Sequence, residues 1–129
     1  MNRMTKTVIN GEDRYLNYSI EIMFDVNEKF GNINNALETM EGNSIESFEA
    51  VKWFAIRMAN DGELCRRSEG YDSRPMLSEN AINIRMHPLE FSELKNAVVQ
   101  AITNGYRRDI EDEDKEIDVG LEELNAKKA

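Results

Sequence analysis

The stretch from Phe48 to Met58 sets the tightest limit on what this chain can fold into. Wound as a helix, Phe48, Val51, Ala55 and Met58 form one apolar stripe, and Trp53, Phe54 and Ile56 widen it almost to the full circumference. A helix apolar on most sides must be surrounded by other elements, so the segment reads as the central helix of a bundle. Ser44 stands where an N-cap belongs, and Asn60-Asp61-Gly62 supplies a stop signal, with room for a further turn or two over Glu63 to Glu69. Trp53 and Phe54 are adjacent, so they diverge by about 100° around the axis. Either the helix is buried on two sides or one of the pair faces a partner.

The elements around this helix follow from local signals. Thr5 to Asn10 and Arg14 to Tyr18 alternate, and Asn10-Gly11 between them favours a tight hairpin turn. A lone hairpin is marginal in water, so it must pack on the helices or gain a strand from a partner. Ser19 caps a helix with an expected core face of Ile20, Met23, Phe24 and Asn27, closed by Phe30 and Gly31. Asn32 caps a second helix with Ile33, Ala36, Leu37 and Met40 inward, ended by Gly42. Gly70 to Pro75 reads as a loop, Ser78 starts a short helical piece, and Pro88 opens a last helix. Phe91, Leu94, Val98, Ala101 and Ile102 form its stripe, and Asn104-Gly105 its expected end. The fold class is therefore mainly α: a short N-terminal β-hairpin packed on a bundle of about five helices.

Charge divides the chain in two. Between Asp109 and Glu123 there are nine acidic residues and one basic residue, Lys115, and they carry most of the net charge of −9. The expected division is a helical domain over residues 1–106 and an acidic tail over 107–129, disordered or conditionally helical. A field of this sign repels phosphate backbones, so no nucleic-acid partner is expected. No apolar run reaches the length of a membrane span or a signal peptide, so a soluble, cytoplasmic protein is expected.

Catalytic signals are weak. His87 is the only histidine, and His87-Pro88 reads as a helix junction rather than a general base. Cys65 is the only cysteine; Arg66 and Arg67 beside it could lower its pKa, although an incidental thiol is the simpler reading. Arg66, Arg67 and Arg74 could meet an acidic neighbour, with a solvated loop as the simpler account. The acidic run lacks the spacing of a calcium loop, and no phosphate loop or dinucleotide fingerprint occurs. No enzyme activity, metal or cofactor is expected. Binding signals are better: Met23, Met40, Met58, Met76 and Met86 recur on or near apolar faces, and methionine suits an adaptable apolar surface. The candidate partner-binding residues are Trp53, Phe54, Met58, Met23 and Met40.

The run Val8-Ile9-Asn10-Gly11-Glu12-Asp13-Arg14-Tyr15-Leu16-Asn17-Tyr18-Ser19, the helix ending Glu28-Lys29-Phe30-Gly31, and Asn34-Asn35-Ala36-Leu37 after it carry a family likeness. In order and spacing they resemble the opening of tail assembly chaperones of long-tailed bacteriophages or prophages. The alanine-containing central helix, Leu77-Ser78-Glu79, and Ala97, Ala101 and Gly105 extend the resemblance over about 100 residues. Met76 to Met86 is less regular than that family's middle, and the tail is unusually acidic. The resemblance implies a self-associating protein that coats the tape measure protein in the host cytoplasm before the tail tube polymerises. It also implies absence from the mature virion and, in many members, a frameshifted longer form that recruits the tail tube protein. Two other readings stay open: a structural tail or connector protein, and a non-enzymatic acidic regulator.

Overall fold

Asn10 and Gly11 hold positive φ angles of 53° and 81°, the pair of values a two-residue hairpin turn needs. They join β1 (Thr5–Ile9) to β2 (Glu12–Leu16), antiparallel, with Ile9 opposite Glu12 and Thr5 opposite Leu16. This is a computed structural model, and it describes residues 4–107; the expected acidic tail, from residue 108 on, lies outside the described residues. Five helices follow the hairpin: α1 (Ile20–Phe30), α2 (Ile33–Met40), α3 (Ile45–Ser68), α4 (Glu79–Asn83) and α5 (Pro88–Tyr106). The mainly α architecture with an N-terminal hairpin is thus the observed one. No helix among the described residues is long and apolar enough to cross a membrane.

The caps lie where the sequence puts them. The side chains of Ser19, Asn32 and Ser44 accept from the backbone N–H three residues on, and Gly31, at φ 92°, ends α1. Pro88 occupies the first turn of α5, and the Glu90 carboxylate accepts from the His87 N–H at 3.2 Å. His87 is therefore a helix-junction residue.

Two glycines expected to stop helices do not stop them. Helix α3 continues through Gly62 to Ser68, and α5 through Gly105 to Tyr106. Both glycines are close-approach points instead. A Cβ on Gly62 would lie 1.7 Å from the Tyr15 carbonyl oxygen, and one on Gly105 would lie 2.7 Å from the Tyr18 ring and Cβ. Glycine at these points lets β2 lie against α3 and lets Tyr18 lie against α5. Tyr18 and Tyr106 join their hydroxyls at 3.1 Å, and burial followed by this bond raises the Tyr18 pKa.

The core centres on α3. Val51, Phe54, Ala55 and Met58 are sealed from solvent with Leu16, Ile22, Val26, Ala36 and Val98. The face expected for α1 is corrected. Ile22 and Val26 point inward, while Ile20 and Phe24 are 68% and 63% exposed. Two inward positions four residues apart suffice for an eleven-residue helix at the bundle's edge, and Phe24 falls outside that arc.

The middle of the chain is pinned by side chains reaching backbone groups. Asn60 accepts from the Leu77 N–H at 2.7 Å and donates to the Leu77 carbonyl at 3.3 Å. Arg14 donates to the Pro75 carbonyl at 2.6 Å, and Asn10 to the Ala81 carbonyl at 2.9 Å. The loop from Tyr71 to Ser78 is thereby tied to α3 and the hairpin without regular structure of its own.

A candidate partner-binding groove beside Trp53

Trp53 is the only tryptophan, and it is half-buried at the wall of a groove of about 540 Å³. The apolar lining comes from Phe30 at the end of α1 and from Ile45, Ala50, Trp53 and Ile56 on α3. Ile45, one residue past the Ser44 cap, is 78% exposed although large and apolar. From Ile45 to Ile56 the groove follows α3 for roughly 16 Å, about three turns of a helix.

The groove's aromatic wall is built by adjacency. Trp53 meets Phe54 edge-on at 5.0 Å between ring centroids, and Phe30 meets both at 5.7 Å. Phe54 turns into the core and Trp53 turns out, which the 100° step between neighbours on a helix demands. The indole is flanked by two cations, Arg57 at 5.4 Å and Lys29 at 5.8 Å from the ring centroid. Arg57 also reaches Asp25 at 2.6 Å and Glu21 at 3.6 Å, which ties α1 to α3 beside the groove.

Lys52 forms the far rim. Its stem is buried, and its ammonium bridges Glu49 at 3.1 Å and Glu79 at 3.3 Å while donating to Asn83 at 3.1 Å. Burial alone would lower the Lys52 pKa; the two carboxylates outweigh it and raise the value. The groove is therefore an apolar trough with a rim of both signs, including Lys29, Lys52 and Arg57 against Glu46, Glu49 and Glu79.

Of the five residues expected to meet a partner, three are corrected. Phe54 and Met58 have no exposed surface and Met40 has 1%, so they serve the core and present nothing to a second molecule. Their stripe faces inward because α2 and β2 both pack against α3. Trp53 and Met23 remain partly exposed. Sequence reasoning missed Ile45, Lys52 and Arg57. Only Arg57, four residues beyond Trp53 on the same helical face, carried a readable signal.

The arginine cluster resolves differently from a solvated loop. Glu63 is 3% exposed, accepting from Arg66 at 2.6 Å, from Arg67 at 3.0 Å and from the Arg74 N–H at 2.7 Å. Burial would raise its pKa, but the Arg74 amide and the two guanidinium groups hold it down at about 2. Arg66 and Arg67 are thus turned toward Glu63, and the Cys65 thiol gains nothing from them. Burial, with Asp61 and Glu69 nearby, pushes that thiol's pKa up, not down as Arg66 and Arg67 could have done.

No family model, curated protein or solved structure matches this chain.

Proposed function

We propose that this protein is a binding protein without catalytic activity, and that it seats an apolar helix of its partner in the groove beside Trp53. The observation that carries the reading is the half-buried Trp53 in an open trough about three helical turns long. An amphipathic helix laid there covers Ile45, Ile56 and the indole and sets its polar flanks against the mixed-charge rim. Tryptophan and arginine are among the residues that dominate binding energy at interfaces.

Together with the resemblance of the hairpin and first two helices, this points to a tail assembly chaperone. Its partner is then the tape measure protein, held soluble in the host cytoplasm before the tube forms, and a longer form of the chaperone engages the tail tube protein. A long, helical, apolar client and a strongly acidic chaperone suit each other, because net charge keeps the complex dispersed.

Co-expression with a tape measure fragment tests the proposal. The fragment is expected to gain solubility and to co-purify with the chain. Ile45→Glu changes a side chain that is 78% exposed, so the fold survives, while affinity falls about 10- to 100-fold from one lost apolar contact. Independent behaviour of chain and fragment contradicts the proposal. Finding the chain in purified virions favours a structural tail component instead.

A further inference from the structure

We propose that the outer edge of β1 pairs with the same edge of a second copy, giving a four-stranded sheet in the order β2-β1-β1′-β2′ around a two-fold axis at Thr7. The inference concerns a surface separate from the Trp53 groove and does not rest on the client proposed for it.

The two edges of the hairpin are treated differently. With Ile9 opposite Glu12 across a two-residue turn, Thr5, Thr7 and Ile9 point their backbone groups at β2, and Lys6 and Val8 point theirs away. On β2 the outward groups belong to Asp13 and Tyr15, and the carbonyl of each has a neighbour from beyond the hairpin. The Asp13 carbonyl accepts from Arg74 at 2.9 Å, and the Tyr15 carbonyl lies against Gly62; just beyond the strand, the Asn17 N–H donates to the Met58 carbonyl at 3.0 Å. On β1 the N–H and C=O groups of Lys6 and Val8 have no hydrogen-bond partner among the described residues. Four such groups cannot be left in a dry interior, so they face water or another strand. The side chains agree with an open edge, at 58% exposure for Lys6 and 62% for Val8.

The edge is complementary to itself. Antiparallel pairing about Thr7 sets Lys6 opposite Val8′ and Val8 opposite Lys6′, each a pair that exchanges two hydrogen bonds. Thr7 meets Thr7′ on the axis, a favourable cross-strand pair. No like charges face each other, and the lysine stems cover the exposed valines. A hairpin marginal as two strands becomes one half of a sheet whose outer edges are closed by α3 of each copy.

Sedimentation of the full chain over a range of concentrations, with hydrogen exchange at Lys6 and Val8, tests this. The wild type is expected to self-associate, and both amides to gain protection as concentration rises. Val8→Lys sets two lysine pairs across the axis but stays opposite Asp13 within its own hairpin, so the monomer keeps its circular dichroism. Its dissociation constant is expected to rise about tenfold. Adding Lys6→Glu to Val8→Lys restores opposite charges across the axis and is expected to restore association. A wild type that stays monomeric overturns the proposal, and so does association unchanged by Val8→Lys or a double variant as weak as the single one. Protection that ignores concentration also overturns it, because the edge is then occupied within one chain.

Discussion

Glu63 shows how one buried carboxylate organises the segment around it. It anchors two arginines of its own helix and the backbone at Arg74, so that the chain beyond α3 turns back along the helix. Glu63→Gln removes the negative charge and leaves Arg66, 7% exposed, without its counter-charge. Urea unfolding is expected to register a loss of about 3 kcal/mol, the scale of breaking a buried pair from one side. The pH dependence follows from the lowered pKa. The contribution is fully present above the carboxylate's ordinary value of 4.5 and is lost as pH falls toward about 2. Acid titration of stability is therefore expected to be shallower in Glu63→Gln than in the wild type between those limits. Equal slopes would show that Glu63 is not a principal titrating contact.

At the scale of elements, the readable features were those with local chemistry. The Asn10-Gly11 turn, the caps at Ser19, Asn32 and Ser44, and Pro88 at the start of α5 all sit where their own side chains or backbone preferences demand. What local reading missed depends on residues far away in sequence. Gly62 looked like a stop, because a mid-helix glycine costs about 1 kcal/mol against alanine; its reason is the Tyr15 backbone, 47 positions earlier. The α1 face was misread because Ile20 and Phe24 are apolar yet point outward, and periodicity alone cannot say which of two adjoining apolar arcs meets the bundle. The loop before α4 was illegible for a similar reason, since Asn60 and Arg14 hold it through long-range bonds to backbone atoms, and Asn10 holds α4 in the same way. Gly62→Ala separates these views. Propensity alone predicts a gain, whereas the close approach predicts a loss of about 2–3 kcal/mol in thermal or urea unfolding. Gly105→Ala is expected to cost less, because the Tyr18 side chain rather than a strand's backbone must give way.

At the scale of the whole molecule, the two open features lie on separate parts of the fold. One is the Trp53 groove along α3; the other is the outer edge of β1. A two-fold pair joined by the second feature would present two copies of the first. The sequence pointed to Trp53 by its place next to Phe54, and only packing decided which of the two faces outward. Because Trp53 is the only tryptophan, its fluorescence reports the groove without any label. The most direct measurement is a titration of the full chain with a tryptophan-free amphipathic peptide from a tape measure protein, following that emission. A saturable blue shift is expected as the indole is covered, lost or moved to about 10- to 100-fold higher peptide concentration in Ile45→Glu. Binding detected by an independent method with no change at Trp53, or a shift identical in Ile45→Glu, would place the client elsewhere and rule out the Trp53 groove as its seat.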